Sequence, residues 1–189
     1  MVVAPKKLSF NASRTLADDL RREGETEQWG KRILGEIAYQ LDRRILRYIF
    51  CRLSHNNQDN QQRIYGYYVG SIEEQIIENC KDSRSGNLDL DKKYLLEFRY
   101  KHIMLFLRDA GYDKNIHPKV TKALVNKYGL LPTPGPRSSL RDIGPHSFSQ
   151  LKDYVTKLAN AEEIRDIMVL LVCITQMAKE DGEPIFIWG

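Results

Sequence analysis

The chain has 189 residues, 42% of them hydrophobic and 29% charged, a balance that excludes wholesale disorder and allows one well-packed core. Its 29 Lys and Arg against 25 Asp and Glu leave a mild excess of positive charge, and the two signs alternate along the chain as on a solvated surface, which argues against a dedicated nucleic-acid binder. Three widely spaced cysteines, Cys51, Cys80 and Cys173, with no Cys-x-x-Cys, exclude a disulfide framework and point to a reducing compartment. No apolar stretch follows Lys6 and Lys7, so no secretory signal is expected and the acceptor Asn11-Ala12-Ser13 is idle. The longest apolar run, from Ile167 to Ile174, falls far short of the roughly 20 residues of a membrane span.

Residues 1–25 read as a flexible arm, because Arg14, Asp18, Asp19, Arg21, Arg22 and Glu23 leave little apolar periodicity and Gly24 interrupts a helix. The first helix is expected from Thr26 or Glu27 to about Leu53. Trp29, Ile33, Ile37, Leu41, Ile45 and Tyr48 recur at helical spacing, and Leu46, Ile49, Phe50 and Leu53 widen the stripe, so this is the central helix. An exposed Asn/Gln-rich loop follows over residues 54–62. A strand from Tyr65 to Val69 precedes a capping box of Ser71 with Glu74, which opens a helix from Ile72 to Cys80. The third helix starts at Asp89 or Asp91, carries Tyr94, Leu95, Phe98, His102, Leu105 and Phe106, and reaches Ala110 with Gly111 as its cap. Pro118 sets the first turn of the fourth, which stops at Gly129.

Four prolines over residues 131–145 make an extended connection, read as an internal loop because neither flank alone completes a core. The fifth helix runs from Phe148 to Leu158. A second capping box, Asn160 with Glu163, opens the sixth, whose centre is apolar all round and should be the most buried; Gly182 ends it. The segment from Ile185 to Trp188 reads as a strand paired with that from Tyr65 to Val69. The fold expected is mainly α: a compact bundle of about six helices with a minimal two-stranded β element, one domain over residues 26–189.

Chemistry is hard to find. Structural zinc needs four converging ligands, and only Cys51 and His55 lie close together. Gly30-Lys31 and Gly35 sit inside a helix with no preceding strand, which excludes a phosphate loop. There is no Gly-x-Ser-x-Gly elbow and no Cys-His pair at a telling position, although a triad can assemble from distant residues. His102 reads as a satisfied, partly buried histidine and His117 as part of a helix start. No catalytic residue, metal or cofactor is assigned. Arg43, Arg44 and Arg47 do share one helix face with no acid four residues away. They are either a solvated face or a docking patch for an acidic partner segment, with a weak nucleic-acid contact as the alternative.

Several blocks together resemble the C-terminal domain of the speriolin and speriolin-like family: Gly35-Glu36-Ile37-Ala38-Tyr39-Gln40-Leu41-Asp42-Arg43-Arg44-Ile45-Leu46, Tyr65-Gly66-Tyr67, Ile116-His117-Pro118 with Tyr128-Gly129, and Lys179-Glu180-Asp181-Gly182-Glu183-Pro184-Ile185-Phe186 with Trp188. The resemblance runs from about Trp29 to the end. It implies a non-enzymatic adaptor of the centrosome or sperm-neck cytoskeleton in male germ cells, in the cytoplasm and cytoskeleton, with centrosomal, cytoskeletal or cell-cycle proteins as partners. The family's long N-terminal region, with its leucine-zipper segment, is not in this sequence, and the Asn/Gln stretch departs from the pattern. Open strand edges leave homodimerisation as a further expectation.

Overall fold

The computed structural model describes residues 10–51, 64, 66–133 and 147–188, with side chains described from Arg21 onward except Arg22. Six helices are found among them: α1 (Phe10–Phe50), α2 (Ile72–Cys80), α3 (Leu90–Arg108), α4 (His117–Tyr128), α5 (Phe148–Leu158) and α6 (Ile164–Asp181). Residues 1–9, the Asn/Gln-rich stretch, Tyr65 and most of the Pro-rich connection lie outside the described residues.

α1 is the axis of the fold. Ile33, Leu34, Ile37, Ala38, Leu41, Ile45 and Ile49 are fully buried, and the helix packs against α3, α4, α5 and α6. It begins at Phe10 rather than near Thr26, with Gly24 inside it. One glycine in an exposed helix costs only about 1 kcal/mol, which the good helix formers around it offset. Residues 23–28 are exposed, and burial starts at Trp29 and Gly30. The second half of α1 is therefore more enclosed than α6, where Met168, Val169 and Val172 stay half-buried beside the buried Ile167, Leu170, Leu171 and Ile174.

α1 and the end of α4 approach each other closely. A Cβ on Gly35 would lie 1.9 Å from the carbonyl oxygen of Gly129. Gly129 itself ends α4 at φ +74°, a conformation that favours glycine. Two glycines are thus needed at one crossing. Gly182 ends α6 in the left-handed helical conformation, at φ +72°.

The two-stranded β element is not found: among the described residues there is no strand, only an isolated bridge between Lys81 and Leu88. Val69–Ser71 forms a 3-10 turn leading into α2. The last segment finds a side-chain partner in place of a strand. The Ile187 amide donates to Oε1 of Gln40 at 3.0 Å, and Nε2 of Gln40 donates back to the Ile187 carbonyl at 3.2 Å. One glutamine thereby meets both backbone groups that a strand would have paired.

The helix starts differ in detail from expectation. Asp89 caps α3 by accepting from the Lys92 amide, as read. Ser71 instead accepts from Gln75, and no box with Glu74 forms. No box of Asn160 with Glu163 forms either: Glu163 itself stands at the N-cap of α6 without a side-chain cap, and its carboxylate accepts from Lys127 and Tyr128 of α4. The box that does form is Ser147 with Gln150, at the head of α5.

Candidate partner-binding site

The three arginines singled out from sequence lie where α1 passes the end of α6, and they do not make a free patch. Arg44 is buried; its Nη2 donates to the Pro184 carbonyl at 2.6 Å and its Nε lies 3.5 Å from Asp181. Burial works against both charges of that pair, lowering the Arg44 pKa and raising that of Asp181. Arg47 forks onto both carboxylate oxygens of Glu183, at 2.8 and 3.0 Å. Arg43 turns back along α1 to donate to the Tyr39 hydroxyl at 3.0 Å, with its guanidinium 5.5 Å from the ring. Arg44 and Arg47 thus meet an acidic segment of the chain itself, Asp181-Gly182-Glu183. Sequence could not show this, since the residues concerned are 136 to 140 positions apart.

The clasp extends inward. Glu36, buried to 1% exposure, accepts from Gln40 at 2.7 Å and from the Leu131 amide at 3.1 Å, while burial raises its pKa. Gln40, Arg44 and Arg47 then hold Ile187, Pro184 and Glu183 in turn. Glu36, Gln40, Arg44, Glu183 and Pro184 belong to two of the sequence blocks that carried the resemblance, and Arg47 and Ile187 adjoin them. Their shared task is to fasten the C-terminal segment along α1.

Outside the clasp opens a cleft of about 320 Å³, lined by Arg44, Arg47, Tyr48, Cys51, His102, Phe106, Met177 and Asp181. His102 is exposed rather than partly buried; its Nδ1 shares a hydrogen bond with the Tyr48 hydroxyl at 2.8 Å, and its ring stacks on Tyr48 and Phe98. Cys51 and Asp181 line the same cleft, but Asp181 is turned to Arg44 and to the Glu183 amide. Among the described residues no group of three or more His, Cys, Asp and Glu side chains could hold a metal ion. The three cysteines are buried thiols outside any disulfide, and burial pushes the Cys173 thiol up to about 12, so they sit as small apolar side chains.

A second polar group is shut between α1 and α4. Thr121 donates its hydroxyl to the His117 carbonyl at 2.9 Å. Burial holds the Asp42 pKa well above the usual carboxylate value, and the neighbouring Thr121 hydroxyl pulls the other way. His117 accepts from the Asp113 amide at 2.7 Å and stacks on Tyr112.

The surface that departs most from a solvated one is α3. Leu96, Arg99, Ile103 and Leu107 face inward, Arg99 reaching the Ile49 carbonyl at the end of α1 at 3.1 Å. Of the apolar stripe read from the sequence, Tyr94 (74% exposed), Phe98 (58%) and Leu105 (53%) lie on the opposite side and point outward, joined there by Leu90 (69%), while Phe106 packs against the core. Its periodicity was legible. Its direction was not, because α3 is apolar on two sides and one spacing serves either.

Residues 33–188 match the family model described as the Speriolin C-terminus. The chain is 36% identical to human speriolin over 188 residues and 34% identical to mouse speriolin over 189, covering all of this chain in both cases. It spans about a third of the length of these relatives, 30% of the human and 37% of the mouse protein. No solved structure matches it.

Proposed function

Since the chain belongs to the speriolin family, we propose that it works as a non-enzymatic protein-binding scaffold at the centrosome or sperm-neck cytoskeleton of male germ cells. The observation that carries the binding role is the outward apolar stripe of α3. Monomeric proteins seldom expose a contiguous apolar patch beyond a few hundred Å², and larger ones mark surfaces that another chain covers. Here four large side chains, each more than half exposed, follow one another along one helix. The arginine face of α1 is a weaker docking surface and a weaker nucleic-acid contact, because Arg44 and Arg47 already meet Pro184 and Glu183.

The test is recruitment. The tagged chain expressed in male germ cells is expected to mark the centrosome and the sperm neck, and Tyr94→Ser with Phe98→Ser is expected to disperse it without loss of fold. A chain spread evenly through the cell, or a double variant recruited as well as the parent, would contradict the proposal.

A further inference from the structure

The apolar stripe of α3 runs into a basic cleft at the C-terminal end of the helix. Lys101, Met104, Leu105 and Arg108 recur at helical spacing and share one face of its last turns. The turn that follows folds back beside them. The Tyr112 amide donates to the Leu107 carbonyl at 3.0 Å, and the Lys114 ammonium stands 5.8 Å from the centre of the Tyr100 ring. An open cleft of about 530 Å³ results, with Tyr100, Met104 and Leu105 as apolar lining and the exposed Lys101, Arg108 and Lys114 around them.

The charges there are unbalanced. Among the described residues Lys101 and Lys114 have no ion-pair partner. Glu97, one turn before Lys101, is bonded to Lys93, and Arg108 has a 3.7 Å contact with its exposed neighbour Asp109. The acid that lines the cleft, Asp113, accepts from the Asn115 amide at 2.8 Å. Glu73 and Glu74 of α2 act on the Tyr100 hydroxyl without lining the cleft. Three cations around an apolar wall match a ligand that is apolar at its centre and negative on either side. They are too few for a nucleic-acid track, and a phosphate backbone would leave the adjoining stripe of Tyr94, Phe98 and Leu105 uncovered.

We infer that this cleft receives an acidic segment of a partner protein, one that carries a large apolar side chain flanked by carboxylates. This rests on the reading of α3 as the docking face and states what docks at its end. The apolar side chain packs on Met104 and Leu105, and the carboxylates pair with Lys101, Arg108 and Lys114. Arg44 and Arg47 of α1 find their acids within the chain, whereas Lys101 and Lys114 have theirs still to meet.

Fluorescence anisotropy on the full chain tests it with short labelled peptides. The probe is a run of glutamates around a central Phe-Leu pair; the controls carry lysine for every glutamate, or Ser-Ser for the pair. The glutamate probe is expected to bind with Kd of about 10–100 μM, and each control about tenfold more weakly. Leu105→Ser should weaken the probe about tenfold. Lys101→Glu with Lys114→Glu should reverse the preference, so that the lysine peptide binds better than the glutamate one, an outcome that misfolding cannot produce. No binding of the probe up to about 1 mM overturns the inference, as does an unchanged preference in the double reversal. Tighter binding of a single-stranded oligothymidylate than of the probe overturns it in favour of nucleic acid. Self-association of the parent that Leu105→Ser abolishes overturns it in favour of a second copy. Failed peptide binding with centrosomal recruitment intact strikes the acidic segment alone, and failed recruitment with peptide binding intact strikes the scaffold reading alone.

Discussion

The same substitution, glycine to alanine, should have opposite effects at two positions of α1. At Gly24, exposed and with nothing within 4 Å of an added Cβ, alanine gains helix propensity and restricts the unfolded chain, a stabilisation of about 0.5–1 kcal/mol. At Gly35 the added carbon would meet the Gly129 carbonyl oxygen at 1.9 Å, where contacts under 3.0 Å force something to shift. That neighbour is backbone, fixed at the end of α4 and two residues before the Leu131 amide that Glu36 accepts. Overpacking of this kind costs about 1–3 kcal/mol, and loosening the buried bond adds about 1 more. After the propensity gain, Gly35→Ala should be destabilised by about 2 kcal/mol. Urea unfolding followed by far-ultraviolet circular dichroism gives both values, and in thermal melts each kcal/mol should appear as about 2–4 °C. A Gly35→Ala protein as stable as the parent would refute the close crossing of α1 and α4.

Other expectations follow from the buried polar groups. Gln40→Leu removes both bonds to Ile187 and one to Glu36, and should cost about 2–4 kcal/mol by urea melt, with hydrogen exchange rising at the Ile187 amide. Arg47→Ala should cost no more than about 1 kcal/mol, since the pair with Glu183 is about one-third exposed. Asp42 keeps in the native state a proton that the unfolded chain releases above about pH 4. Its burial thus lowers stability as pH rises from there towards its folded pKa, and Asp42→Asn should gain on the parent over that range while matching it near pH 3. Equal stability differences at pH 3 and pH 7 would contradict the raised pKa of Asp42.

Much of the fold was legible because local rules decided it. Asp89, Pro118, Gly129 and Gly182 punctuate the helices where capping and φ preferences demand. The rest depended on long-range partners. The start of α1 was misplaced because one glycine was weighed as a break, although flanking residues carry a helix across it. Two short aromatic and β-branched segments read as strands, yet no strand occurs among the described residues: Gln40 meets the Ile187 backbone, and Val69 enters a 3-10 turn. At the candidate site, Arg43, Arg44 and Arg47 stood out through missing local counter-charges; those of Arg44 and Arg47 lie at the far end of the chain, while Arg43 turns to Tyr39. The outward stripe of α3 was visible as a pattern, but only the fold determines which side of a doubly apolar helix meets the core.

The central claim separates two sets of residues: the clasp of α1 with the C-terminal segment, which closes the fold, and the stripe of α3, which meets another chain. Comparing centrosome occupancy in male germ cells with thermal stability, for Arg47→Ala beside Tyr94→Ser with Phe98→Ser, tests that division directly. The account predicts slightly lowered stability with full recruitment for the first, and full stability with lost recruitment for the second. Recruitment lost with Arg47 and kept without the two aromatic rings would contradict it.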